Sequence, residues 1–331
     1  MTKTKKNSST KVKKKKSLGF KIFIGFLCIL LAILTVGGGY VIGLINKMDN
    51  VELNKDNLGI VEEDLKDYDN VNKIKNIALF GLDSTDGETG RSDAIMIATV
   101  DPIHNKVKLT SIMRDSYVYI DGYGNDKINH AYAYGGPELS IKTINENFGL
   151  NIEDFVSVNF SSLPVIINIL GGVDIEITEE ELQYINDYIN DINNRDGTAS
   201  PNITYAGVQH LDGTQALAYS RIRYTSGGDY KRTERQRTVL EALFNKLTSA
   251  SVSSYNSLLN KVLPYVQTNL NTGDILSLGT NVLGIGNNLE QDRFPIDGYC
   301  EGAMIDGVYY LTFDIETAKQ QMRDYIFNDI K

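Results

Sequence analysis

The hydrophobic positions of this chain fall into blocks of changing period. Residues 22–45 carry no charge at all; as a helix they would run about 36 Å, enough to cross a bilayer with some tilt. Residues 46–73 are polar, acidic and poorly periodic, and read as a stalk with a weak helical stretch at 61–69. From residue 74 the pattern is that of a folded domain. Apolar runs at 76–82, 94–100 and 107–113, separated by turn-rich segments, predict three strands in a meander. A helix is expected over 137–148 with Pro137 at its first position. It is followed by a strand (155–160), a helix (161–170) stopped by Gly171-Gly172, a strand (173–177), a polar amphipathic helix (179–194) and a turn with a short helix (211–221). Gln236, Leu240, Leu243 and Leu247 recur at helical spacing and predict a helix over 233–247. Helices at 249–265 and 272–284, a strand at 309–313 and a helix at 315–330 close the chain. Alternation of this kind predicts an α/β domain over 74–331, a central mixed sheet flanked by helices in α/β/α layers, preceded by one transmembrane helix.

Charge changes the picture at the N-terminus. Residues 1–21 hold nine lysines and no acid, which leaves −18 on residues 22–331 once that +9 is taken from the total of −9. Lysines before the apolar span and acids after it put residues 1–21 in the cytoplasm and the remainder outside. The span is longer than a signal-peptide core and lacks an Ala-x-Ala ending, so an uncleaved anchor is expected rather than a cleaved signal. A body this acidic is not expected to bind nucleic acid, which needs a broad basic surface, though it leaves room for a confined basic pocket. Cys28 lies in the span and Cys300 stands alone beyond it, so no intrachain disulfide is expected. His104, His130 and His210 have no metal-ligand spacing, and no Walker, GxSxG or dinucleotide fingerprint occurs.

Against that acidity, five of the ten arginines crowd into residues 216–237: Arg221, Arg223, Arg232, Arg235 and Arg237. A guanidinium fork fits phosphate bidentately, where lysine acts as a point charge. Arg232 lies one turn before Gln236, so both are expected on the buried side, near a helix N-terminus that favours anions. Arg237 is expected on the outer face, paired with Glu241. If the backbone is extended past Ser220, Arg221 and Arg223 are expected not to face one small anion. Either the segment is still turning out of its helix, or the two guanidiniums grip separate phosphates or the sugar side. In the strand meander, loop order alone gathers Asp83, Arg91, Asp93 and Arg114 at one sheet edge, a mixture suited to a hard cation and a phosphate.

Gly81-x-Asp83, Arg91-Ser-Asp93, Ser111-Ile-Met-Arg114-Asp115, Asp126-Lys-Ile-Asn129 with Ala131-Tyr132, Val158-Asn-Phe160, Gly171-Gly-Val-Asp174, Leu211-Asp-Gly-Thr-Gln-Ala-Leu-Ala218 and Arg221-x-Arg223 through Asp229, Arg232 and Arg235-Gln236 follow one another in an order that resembles the LytR–CpsA–Psr (LCP) family. The resemblance is strong over about 74–250; Met113 departs from it, since the family usually has proline there. It implies an extracytoplasmic, membrane-anchored transferase that moves a glycopolymer (teichoic acid, capsule or another wall polysaccharide) from a polyprenyl-pyrophosphate carrier to peptidoglycan with Mg²⁺. By the same resemblance Asp83 and Asp93 would hold the metal. Arg91, Arg114, Arg221, Arg223, Arg232 and Gln236 would clasp the pyrophosphate, with Lys127 a further candidate. Asp229 would either orient an arginine or take the acceptor's proton. A polyprenyl-pyrophosphate hydrolase and a non-catalytic polymer-binding or regulatory protein are the alternatives.

Overall fold

The computed structural model describes residues 49–83, 90–249, 261–285 and 288–331. The expected cytoplasmic tail and membrane span, and most of the helix expected at 249–265, lie outside these residues. Among the described residues no helix is long and apolar enough to cross a membrane.

The centre is a seven-stranded sheet. Its strands, in chain order, are β1 (Asp49–Asn50), β2 (Lys75–Asp83), β3 (Arg91–Asp101), β4 (Lys106–Ile112), β7 (Asp154–Asn159), β10 (Gln267–Thr268) and β11 (Leu289–Phe294). They lie in the spatial order β1-β10-β7-β2-β3-β4-β11. The hairpins β5 (Tyr117–Ile120) with β6 (Gly124–Lys127), β8 (Val173–Ile177) with β9 (Gly207–Leu211), and β12 (Cys300–Ile305) with β13 (Val308–Phe313) stand apart from it. The meander β2-β3-β4 is antiparallel as expected, while β7 and β11 join it parallel to β2 and β4.

Period-two alternation divides the sheet's two faces. Phe80, Ile95, Ile97, Ile112 and Phe155 point to a dry core with α2 (His130–Phe148) and α8 (Ile315–Asn328). Within α2 the helix is interrupted at Gly135 and Gly136, so a regular run does restart at Pro137. On the opposite face, Leu79, Met96, Ala98, Val156 and Val158 look toward a second helical layer. This layer contains α3 (Leu163–Ile169), α4 (Glu179–Asp196), α5 (Gly213–Arg221) and α6 (Gly228–Ser249), which pack on one another through Ile185, Ile189, Leu217, Ile222 and Val239. Also among the described residues are the helices α1 (Glu62–Leu65) and α7 (Thr272–Ile285).

Several expectations need correction. The segment taken as a stalk is part of the domain from Asp49 onward: β1 pairs with β10, and Leu58, Leu65 and Tyr68 are buried in the α2/α8 core. Its acids hid three well-spaced apolar anchors. The hairpin β5–β6, the strand β12 and the edge strand β11 were not anticipated, because polar residues blur their alternation, whereas β13 matches the strand expected at 309–313. Helix α6 begins at Gly228, five residues earlier than the apolar stripe suggested, so Arg232 sits one turn inside the helix rather than before it. Arg237 is not on an outer face. It is buried against the sheet, donates to Ser111 Oγ at 2.8 Å, and burial pulls its guanidinium below its ordinary pKa. Glu241 accepts from Gln291 instead.

Candidate active site

Strands β2 and β3 pair with Asp83 opposite Arg91, after an irregularity at Gly81/Leu82. That register brings both strand ends to one rim, where β4 delivers Arg114 just beyond its last residue. A cavity of about 570 Å³ opens there, and Asp83, Arg91, Asp93 and Arg114 all line it. The convergence expected from loop order is therefore present. The opposite wall carries Arg221, Arg223, Arg232 and Gln236.

Each guanidinium has a mechanical reason for its place. Arg114 donates to Asp93 Oδ2 at 2.6 Å, and Asn129 Nδ2 donates to the other oxygen at 2.9 Å. Arg232, only 7% exposed, binds both oxygens of Asp229 at 3.0 and 3.2 Å, and burial pulls its pKa below the ordinary value. Its Nε and the Oε1 of Gln236 are buried without a partner in the protein. Buried polar groups are rarely left unpaired, so such atoms at a cavity wall are where a ligand satisfies them. Arg235 does not line the large cavity: it binds Glu181 at 2.6 Å, the Ile222 carbonyl at 3.0 Å and Thr225 Oγ1 at 2.8 Å. It thereby fixes the loop that presents Arg221 and Arg223.

Of the two arrangements expected for Arg221 and Arg223, the segment still turning out of its helix is the one present. Arg221 is the last residue of α5, Ile222 turns into extended backbone, and its side chain is fully buried. At this helix exit Ile222 faces inward and both arginines line the cavity. Arg223 also donates to the Tyr224 hydroxyl at 3.2 Å, which raises its pKa.

Two other candidates lie elsewhere. Asp229 does not line the large cavity; it has both oxygens on Arg232, and Arg114 at 3.7 Å. Lys127 binds Asp115 at 2.6 Å and lines a separate small recess. Conversely, Tyr184, Asp187, Tyr188 and Asp191 line the large cavity and were not singled out. Their spacing along α4 puts them on one helical face, a signal obscured by the helix's general polarity.

At Phe160, Ser220 and Gln236 the cavity gives way to an apolar chamber of about 140 Å³ beneath β2, β3 and β7. A second chamber of about 360 Å³ continues between the sheet and α3 and α6, sharing Leu79, Val156, Val158, Leu163 and Leu240 with the first. The pair forms an apolar tunnel ending at a charged mouth. Gly81 lies at its neck: a Cβ there would stand 2.9 Å from Ala94 Cβ and 3.2 Å from Phe160 Cε1.

No group of three or more His, Cys, Asp or Glu suited to a metal occurs among the described residues. Asp83 and Asp93 nevertheless face the same cavity as five guanidiniums. Magnesium needs only one or two carboxylates when phosphates and waters complete its shell. The donor set fits a cation that arrives with a phosphate ligand, not a closed protein cage.

Residues 44–325 match the LytR_cpsA_psr family. An Enterococcus faecalis protein named polyisoprenyl-teichoic acid–peptidoglycan teichoic acid transferase TagU is 33% identical over 304 residues, covering 89% of this chain and 92% of the relative. The solved structure of TagT of B. subtilis bound to LIIa-WTA aligns with a TM-score of 0.61 at 27% identity, covering 76% of this chain and 91% of that one. YwtF (TagT) with bound octaprenyl pyrophosphate lipid aligns at 0.58 and 26% identity, covering 76% and 90%. With this motif order, this mixed sheet between helical layers and these matches along most of its length, the chain belongs to the LytR_cpsA_psr family.

Proposed function

We propose that the protein is an extracytoplasmic phosphotransferase that moves a pyrophosphate-linked glycopolymer from a polyprenyl carrier to peptidoglycan. The observation that carries this reading is the arginine-walled cavity opening directly into an apolar tunnel. A lipid pyrophosphate has the same two halves, and the transferase named above and the lipid-bound relative support the assignment. The uncharged run at 22–45 and the lysines before it support a membrane anchor with the domain outside; protease shaving of intact cells that spared the domain would refute that placement.

In this reading the prenyl chain occupies the tunnel and the pyrophosphate lies among Arg91, Arg114, Arg221, Arg223 and Arg232. The acceptor hydroxyl oxygen bonds to the sugar-side phosphorus, the bridging P–O bond breaks, and its electron pair leaves with polyprenyl phosphate. Negative charge grows on the departing oxygens, and guanidiniums already held in place by Asp93, Asp229 and Tyr224 stabilise it without reorganising. Asp83 and Asp93 are the residues that would hold magnesium, which when bound shields charge on the phosphate oxygens.

The test is transfer from a synthetic polyprenyl-pyrophosphate-linked sugar to soluble peptidoglycan strands, using the full-length protein. Release of polyprenyl phosphate should require acceptor and be lost on chelation. Equal release without acceptor would identify a hydrolase; tight binding with no release would identify a binder. Val156→Trp, which fills the tunnel, should weaken binding of the long-chain lipid at least tenfold and leave inorganic pyrophosphate binding unchanged.

A further inference from the structure

A second recess, about 140 Å³, lies against the same arginine wall. Lys127, Asn129 and His130 line it together with Arg91, Asp93 and Arg114. The tunnel meets the large cavity at other residues, and tunnel and recess share none. Phosphoryl transfer sets the attacking and leaving oxygens roughly in line across phosphorus. With the lipid phosphate departing toward the tunnel, the nucleophile must come from another wall, and the recess opens on one. Resting on the transfer reading above, we propose that this recess receives the acceptor hydroxyl and that His130 is the base that takes its proton.

His130 is built into the clasp rather than merely near it. Asn129, immediately before it, donates its backbone N–H to the Arg114 carbonyl at 3.3 Å and its side-chain amide to Asp93 at 2.9 Å. Ile128 donates to the Ser116 carbonyl at 2.9 Å. His130 Nδ1 stands 2.8 Å from Asp126 Oδ2, the oxygen that also accepts from the Tyr134 hydroxyl at 2.7 Å. A carboxylate on Nδ1 fixes the tautomer and leaves Nε2 with the lone pair, while its charge stabilises the imidazolium that forms. Asp126 keeps that charge: burial opposes it, but the bonds from His130 and Tyr134 hold its carboxyl below the usual range.

The neighbouring carboxylates are already committed. Asp93 is held by Arg114 and Asn129, Asp115 by Lys127, and Asp229 by Arg232. Their oxygens are thus occupied by donors of the protein, whereas Nε2 of His130 has no such partner among the described residues. Beside the recess Tyr123 and Tyr134 stack at 4.3 Å and 9°, with 55% and 40% of their surfaces exposed. Flat rings with polar edges suit the apolar face of a sugar, which makes the acceptor a glycan strand.

In the step, the proton of the acceptor O–H passes to His130 Nε2 as the oxygen bonds to the sugar-side phosphorus. The bridging oxygen leaves on polyprenyl phosphate, and the imidazolium later releases its proton to water. Removing a general base lowers the rate by about 10²–10⁴-fold. His130→Ala should therefore lose at least ~100-fold in acceptor-dependent turnover with lipid-pyrophosphate binding and thermal midpoint unchanged, and added imidazole should restore part of it. Tyr123→Ala should raise the KM for peptidoglycan strands several-fold at unchanged lipid affinity. The wild type serves as control: if it transfers no polymer, the transfer reading itself fails. If the wild type transfers and His130→Ala retains turnover within threefold, or loses it together with stability, or is not restored by imidazole, the role given to His130 is overturned while the transfer reading stands.

Discussion

Arg235 is the point at which stability and the placement of the cavity arginines are mechanically joined, and Arg235→Ala separates what it does from what Arg221 and Arg223 do. Its guanidinium is 4% exposed and spends its donors on Glu181, the Ile222 carbonyl and Thr225. Truncation leaves the Glu181 carboxylate, itself 6% exposed, in the interior without its counter-charge. Breaking a buried pair from one side costs about 3–5 kcal/mol, and orphaning a buried carbonyl adds about 1–3. Against a total of about 5–15 kcal/mol for a domain, the loss is severe. At roughly 2–4 °C per kcal/mol for a domain of this size, the thermal midpoint should fall by ~8 °C or more. Arg235→Met with Glu181→Leu removes both charges and should recover much of that stability. It does not restore the anchor on Ile222. Binding of a short-chain polyprenyl pyrophosphate should stay weakened in the double variant, because the loop that carries Arg221 and Arg223 is no longer tied to α6. Calorimetric unfolding and titration of that lipid measure the two effects separately. An Arg235→Ala midpoint within 2 °C of wild type, or full lipid affinity in the stabilised double variant, would refute the reasoning.

Arg221→Lys and Arg223→Lys should each lose most transfer at an unchanged thermal midpoint, since lysine keeps the charge but not the bidentate fork; Arg237→Lys, buried on Ser111 rather than exposed, should lower the midpoint instead, and parallel losses of activity and midpoint in the first two would mark them as structural. At the far end of the sheet, Asp329 meets Lys106 at 2.6 Å and Lys108 at 3.1 Å; burial opposes its charge, but these lysines hold its pKa below the ordinary value. A carboxyl depressed in the folded state stabilises above its unfolded pKa of about 3.9 and loses that contribution as pH falls through the folded value. Asp329→Asn should therefore be less stable than wild type at pH 7, with the gap closing in acid; a gap independent of pH would show that the charge contributes nothing.

What the sequence determined by itself was local or cumulative. Three alternating runs made a meander, and strand-end geometry alone was enough to bring Asp83, Arg91, Asp93 and Arg114 together, because hairpin order leaves their strand ends only one rim to share. The density of arginine between Arg221 and Arg237 pointed to this segment because composition that runs against the local charge needs a reason, and three of its five arginines line the cavity. What only the tertiary structure decided was which of these arginines faces the cavity. Arg232, Arg235 and Arg237 lie on one helix within six residues, yet one lines the cavity, one holds a loop through Glu181 and one is buried on β4. A helical wheel gives directions but not neighbours, and the neighbours come from α4 and β4, distant in sequence. Likewise Leu58, Leu65 and Tyr68 looked like parts of a stalk until α2 and α8 supplied the surface that buries them. The tunnel is of the same kind: Leu79, Val156 and Leu240 are ordinary apolar positions, and only the gap left between sheet and helices makes them the lining of a tunnel rather than a packed core.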